Sequence, residues 1–524
     1  MRRIPLSLAV ATALVPVLGT LTAAPAQAAG SSSLTVTTIG RNGAKLTSDL
    51  NLLNTSTGKY VKAKSGKKVT LAKGLYSVTV DIQTPNTSIY LMSDTIAAVR
   101  VSVSGSTKLT LDARKGKPVR ASVDATSGSA AGAYSTLETA AVCPGDDVSG
   151  LFGVYNVPGQ VFEIPNAKST YFHFSWMESW VSDDQGPGTG NGTAYYVTKA
   201  TTGLPTTPTA TFHRSSMAKI ALSMRGGETT QPMDTISVSP SDRSTVCEDI
   251  LYGDSYNGSA PYNATAYVTP GHWSLNSSGG DSNSYVDDRT FKAGGSYGQT
   301  FERAVWGPAQ GLPFVGRKDI DYRPYNTIGD ASGGTNGLAD TVDKVTLSKA
   351  GKVLKTKTVK GGSTGATTFS APITKAGWYV LKVTATRTHA AALSDRVDLD
   401  WHFHADPAHS QVVPGYLAAL SPTGLNRHNS AALRSTTPVT VSLLRSSAEW
   451  DEPFAKETVK SLKVYASHDN GKTWHAVSVH KVGGHWVAEV PEPATAGSVA
   501  LRTVATDTVG SSSTQTVYHA FNVG

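Results

Sequence analysis

The sequence predicts an all-β protein built as serial β-sandwich domains of the immunoglobulin or fibronectin kind. Two patterns carry that expectation. Runs of about four to eight residues alternate apolar with polar, the period of a half-buried strand. Gly, Asn, Asp and Pro punctuate these runs, and no long stretch carries the apolar period of a helix. The 524-residue chain has room for roughly three or four such units.

The chain opens with Arg2 and Arg3, an apolar run, and the small-x-small site Ala26-Gln27-Ala28. That pattern predicts a signal peptide over residues 1–28, cleaved near Ala28-Ala29, and a secreted, extracellular product. Pro16 and the cleavage site argue against an uncleaved anchor, and no later segment has the apolar run of a membrane helix. Residues 30–124 form a small β-sandwich. Within it GLYSVTVDI places Tyr76, Val78, Val80 and Ile82 on one face and Ser77, Thr79 and Asp81 on the other. STKLTLDARKGKPVRASV closes this unit, and the small residues 125–132 make a linker. Residues 133–313 form a larger β-rich domain. Its stretch YFHFSWMESW alternates Phe172, Phe174 and Trp176 with His173 and Ser175, as a strand does. Residues 314–406 repeat the first signature: GWYVLKV from Gly377 echoes GLYSVTV from Gly74, each placing a Tyr on a buried face. Residues 407–524 form a last immunoglobulin-like sandwich.

Formal charge is +8, with Lys59, Lys62, Lys64, Lys67, Lys68 and Lys73 crowded into one stretch. These read as solvated loop lysines; their functional reading is attraction to an anionic surface such as a cell wall. No basic stripe is interleaved with aromatics, which argues against nucleic acid. The two cysteines, Cys143 and Cys247, stand in no metal or redox spacing. In an oxidising compartment such a pair forms a disulfide; the alternative is two buried thiols.

Several motifs bear on chemistry. SHDNGKTW supplies Ser467, Asp469, Gly471 and Trp474, and the pattern resembles the Asp-box of sialidases and related glycosidases. It sits between two strand-like runs, and a glycosidase needs a carboxylate pair that the sequence does not display. It therefore predicts a structural hairpin: Asp469 accepts backbone N–H groups, Gly471 takes a positive φ, and Trp474 covers the turn. RVDLDWHFHAD places His402 and His404 on one strand face, weak candidates for a metal site because spacing fixes no third ligand. YGDSYNG contains the Gly-Asp-Ser of some lipases and esterases, with Ser255 as nucleophile and Asp406-Pro407-Ala408-His409 supplying a matching downstream His, but the helices of such an enzyme are not evident and the stretch reads as an Asx-type turn. RSSMAKIA offers Ser216. GDASGGTNG, residues 329–337, reads as a flexible turn. Trp176, Trp180, Trp273 and Trp306 could form an aromatic ligand platform, although such residues more often belong to the core. No cofactor fingerprint is present.

LTLDARKGKPVRASV, YVTPGHW, FERAVWGPA, AGWYVLKVTATR, VDLDWHF, VYASHDNGKTW and SVALRTVATDTVGSSSTQTV occur in this order. Together they resemble the non-peptidase region that follows the catalytic domain in large secreted subtilisin-like serine peptidases of actinobacteria. The likeness runs from about Leu34 to Gly524. The family's catalytic contexts are missing: Arg214-Ser215 replaces the Gly-Thr before Ser216-Met217-Ala218, and no Asp-[Ser/Thr]-Gly or His-Gly is present. The resemblance thus implies only an accessory role. The expected function is a secreted, non-enzymatic protein that binds the cell wall, an extracellular polymer or a partner protein. The alternative is a hydrolase whose site the sequence does not reveal.

Overall fold

The computed structural model describes residues 32–86, 91–124, 133–145, 152–156, 159–182, 192–226, 234–241, 251, 255–258, 260–279, 282–308, 311–324, 327–330, 341–361, 367–388, 391–445 and 458–524. The expected signal peptide, the 125–132 linker, Cys247 and most of 329–337 lie outside these residues. Regular structure among the described residues is strand, with two one-turn 3-10 helices, Ala113–Lys115 and Arg214–Ser216. The protein is all-β, and its sheets pack face to face as serial sandwiches.

In the first sandwich, Ser32–Ile39 pairs in parallel with Ser106–Asp112 and antiparallel with Lys68–Leu71. The facing sheet places Gly74–Asp81 between Asp49–Asn54 and Leu91–Val103. Leu34, Val36, Leu50, Leu52, Tyr76, Val78, Val80 and Ile82 fill the space between. The opposite face of Gly74–Asp81 departs from simple alternation, because Ser77 and Thr79 are buried as well. The following segment covers that face. Its strand Val161–Glu163 adds in parallel to Leu91–Val103, and Ile96 and Ala98 share a core with Phe172, Phe174 and Trp176. Arg120–Val123 likewise pairs with Thr209–Phe212. The chain therefore changes domain near residue 124 without a break in packing.

The second sandwich faces a seven-stranded sheet with a four-stranded one. Ile236, Val238, Trp273 and Leu275 of the smaller sheet meet Ile220, Leu222, Ala264, Ala266 and Phe301 across the core.

The largest departure from the sequence reading lies between residues 314 and 524. The expected boundary at 406/407 does not separate two cores. Arg396–Ala405 pairs with Gly377–Arg387 on one side and with Ser512–Val523 on the other, so one nine-stranded sheet spans both segments. One hydrophobic cluster runs from Ala304 to Val523 and includes Trp306, so the 313/314 boundary also falls inside a core. Local alternation cannot reveal such sharing, since a strand's period is the same whichever segment pairs with it.

The Gly-Leu-Tyr and Gly-Trp-Tyr repeats do share a physical device. Tyr76 and Tyr379 are both buried. Each hydroxyl donates to the carbonyl four residues back, Tyr76 to Ala72 (3.0 Å) and Tyr379 to Lys375 (2.6 Å). The hydroxyl thereby satisfies a turn carbonyl while the ring stays in the core.

Asn429 joins the second sandwich to the last. It is buried, at φ 55°, a region Asn tolerates better than most residues. Its Nδ2 donates to the Gly226 carbonyl (3.1 Å) and the Glu302 carbonyl (2.7 Å). Its Oδ1 accepts from Ala304 N–H (3.1 Å). Replacing Asn429 by Ala leaves these groups unpaired and strains the backbone. The expected loss is about 2–3 kcal/mol in denaturant unfolding. Asn429→Gly, which relieves only the backbone, restores a minor part of it; full restoration would show that the three hydrogen bonds are dispensable.

Candidate functional site

The Asp-box-like residues sit in the connection between Val459–Ser467 and His475–Ala476, two antiparallel strands. Asp469 organises the loop. Its Oδ1 accepts from Ser467 Oγ (2.7 Å), Lys472 N–H (3.0 Å) and Thr473 N–H (2.9 Å), and its Oδ2 accepts from Thr473 Oγ1 (2.6 Å). The Thr473 hydroxyl and amide, with Ser467, hold this carboxyl well below the usual carboxylate range. Gly471 has φ +81°, and a Cβ there would lie 2.9 Å from Tyr518 Cε1. Trp474 Nε1 donates to the Gly471 carbonyl (3.0 Å), and the Arg502 guanidinium lies 3.9 Å from its ring centre. Every polar atom of the motif named here is spent inside the turn. Asp469→Ala is expected to lower the unfolding midpoint by a few degrees at neutral pH. The difference from the parent narrows below about pH 4, where a depressed carboxylate loses its stabilising charge. A midpoint equal to the parent's at neutral pH contradicts this role.

The other sequence candidates do not converge. Ser216 Oγ donates to the backbone carbonyl of His213 (2.8 Å), while His213 Nδ1 lies 3.2 Å from Asp124 Oδ2. The hydroxyl thus meets the main chain rather than the ring, and the general-base contact that activates a serine is not made. Ser255 lies on Ser255–Gly258, paired with Asp234–Pro240. His409 lies in the turn after Arg396–Ala405, with Nδ1 3.2 Å from Asp406 Oδ2. These elements belong to different sheets. His402 and His404 flank the half-exposed Trp378 ring, His402 stacked at 4.7 Å and His404 edge-on at 5.7 Å. No group of three metal-ligating side chains occurs among the described residues. Cys143 is buried and is not a free thiol.

The core reading of the four tryptophans holds, and the platform alternative does not. Trp176, Trp180, Trp273 and Trp306 are 2%, 6%, 1% and 0% exposed, and they belong to four different cores. Large rings are drawn inside by the apolar area they remove from water, so they present no common surface.

Sequence reasoning missed a set of buried acids where the first two sandwiches join. Glu138 and Glu178 stand directly opposite each other on neighbouring strands, both buried. Glu138 Oε2 accepts from Gly159 N–H (2.8 Å), and Glu178 Oε2 accepts from Ala121 N–H (2.7 Å). Each therefore ties down a segment that crosses the junction. Burial pushes Glu138 up to about 8. Asp81 also rises to about 8, through burial and the neighbouring Asp94 carboxyl. Glu163 is fully buried, neither of its oxygens has a hydrogen-bond partner, and burial alone raises it to about 8. The signal was a lone acid inside an apolar run, as in LETAAVC, VFEIP and SVTVDI. Enclosed this way, Glu138 and Glu163 hold protons without touching solvent, which suits a packed junction rather than general acid–base work on a substrate.

An ordinary unfolded glutamate releases its proton near pH 4.3. Between there and about pH 8 the folded chain binds more protons than the unfolded one, so stability falls as pH rises through that window. Glu163→Gln removes one such group. Its unfolding midpoint is expected to match the parent near pH 4 and to exceed it at about pH 8.5. A parallel pH profile for the two proteins contradicts the assignment.

No family model and no curated protein matches the chain. Among solved structures it is similar to the chicken CNTN1 FN1-FN3 domains, at 12% identity over 58% of this chain and 99% of that one, with a TM-score of 0.14. It is also similar to native E. coli alpha-2-macroglobulin, at 12% identity over 91% of this chain and 34% of that one, with a TM-score of 0.13. Neither likeness bears on function.

Proposed function

We propose that the chain is a secreted, non-enzymatic binding or accessory protein acting on an extracellular polymer, the cell wall or a partner protein. One observation supports this most directly. The residue types that promised chemistry are occupied in holding the fold: Ser216 by a main-chain carbonyl, Asp469 by its own turn, and Glu138 by a junction amide. Edge strands such as Tyr60–Lys64 and Lys352–Gly361, by contrast, carry exposed side chains. The peptidase-associated resemblance of the sequence fits the same accessory role.

The test is a pull-down of the purified chain with insoluble peptidoglycan, chitin, cellulose and denatured protein, scoring depletion and released product in the same tubes. Depletion without product is the expected result, and the depleting solid names the ligand class. Released product would overturn the non-enzymatic reading in favour of a hydrolase.

A further inference from the structure

The charge of this protein is not spread along it. Residues 32–124 hold fourteen Lys and Arg against five Asp and no Glu, a formal +9. Residues 125–524 hold 31 Lys and Arg against 34 Asp and Glu. The first sandwich thus carries the whole positive excess of the folded chain, and its carboxylates do little to offset it. Asp94 is buried, Asp112 is gripped by Arg114 (2.7 Å), and Asp124 faces His213 (3.2 Å).

The fold concentrates this charge on one side. Tyr60–Lys64 is the outermost strand of its sheet, pairing only with Asp49–Asn54. Lys68–Leu71 pairs only with Ser32–Ile39 in the facing sheet. A turn of three residues joins the two, so both edge strands lie on the same side of the sandwich. Val61, Ala63, Val69 and Leu71 point into the core, which turns Lys62, Lys64 and Lys68 outward. Lys59, Lys67 and Lys73 are exposed beside them. On a strand, Lys62 and Lys64 stand about 6.8 Å apart. The result is a line of point charges along an edge, not a pocket.

Lysines also guard sheet edges against aggregation, and this chain contains a second lysine-rich edge for comparison. On Lys352–Gly361 two of the four ammonium groups are turned back to the protein: Lys355 Nζ donates to the Ser370 carbonyl (2.6 Å) and Lys357 Nζ to the Thr368 carbonyl (3.4 Å). On the first sandwich only Lys64 is engaged, with the exposed Asp49 (2.8 Å). Lys59, Lys62, Lys67, Lys68 and Lys73 form no ion pair with the described residues and are open to an outside partner.

We infer that this edge of the first sandwich binds a phosphate-bearing polyanionic polymer, laid along the two edge strands. The inference rests on the reading of the chain as a binding protein and supplies its ligand class. A row of separate cations fits an extended chain of anions better than one small anion. The stretch holds six lysines and no arginine. Lysine meets phosphate as a compact point charge, and the bidentate fork of arginine, which matches carboxylate and phosphate alike, is absent from this edge. Binding by charge alone releases counterions, so affinity falls steeply with salt.

The test uses labelled inorganic polyphosphate and the purified full chain, read by fluorescence anisotropy at about 50 and 200 mM salt. Five free lysines predict a fall in affinity of roughly a hundredfold between the two. Changing Lys59, Lys62, Lys67, Lys68 and Lys73 together to Ser is expected to weaken binding at least tenfold at low salt, with an unchanged thermal midpoint. A charge-matched control with Lys344, Lys352, Lys360, Lys460 and Lys463 changed to Ser is expected to bind like the parent. No binding of polyphosphate, equal loss in the control, or equal binding of polyglutamate would each overturn the assignment. If the insoluble polymers still deplete the five-lysine variant without product, the binding-protein reading stands and only this ligand class falls.

Discussion

Backbone hydrogen bonding at sheet edges is the constraint on which this structure depends. A strand left at an edge exposes a row of N–H and C=O groups that need partners. Here the partners come from neighbouring segments. Arg396–Ala405 would end its sheet if Ser512–Val523 did not pair with it from Val397 opposite Val517 to His402 opposite Ser512. Leu91–Val103 would be an edge without Val161–Glu163. Each shared pairing carries side chains into a shared core, and successive sandwiches become continuous where a string of independent beads was expected.

That continuity explains why polar groups are buried at the junctions. Once Val161–Glu163 docks on the first sandwich, Val161 and Glu163 turn to the same side, toward the Ile96, Phe172, Phe174 and Trp176 core. Val161 gains from burial and Glu163 retains its proton instead of ionising. The cross-strand Glu138 and Glu178 are more useful, since each accepts a junction amide. Asn429 does comparable work at the next joint with neutral groups, and its hold is therefore independent of pH. The two junctions differ in chemistry, and only the first is tied to proton binding.

Among the described residues, some edges are covered by no other segment. Two of them are rich in lysine, but they are built differently. One returns two of its four ammonium groups to main-chain carbonyls, while the other keeps five of six free of described acidic partners. Sequence composition does not distinguish them, because both read as alternating lysine runs.

The sequence by itself determined the class of fold, the strand character of GLYSVTVDI and YFHFSWMESW, and the hairpin at SHDNGKTW. These are local: a period of two, a glycine able to take positive φ, and an aspartate within reach of nearby amides set them without reference to the rest of the chain. The tertiary structure alone decided which edges pair, which tryptophans are interior, and which carboxyls lie at a junction. Trp176 and Trp306 carry the same side chain as the half-exposed Trp378, and only the packing of distant strands makes the first two core residues and leaves the third at the surface. Such outcomes depend on contacts between residues far apart in the chain, and local periodicity holds no record of them.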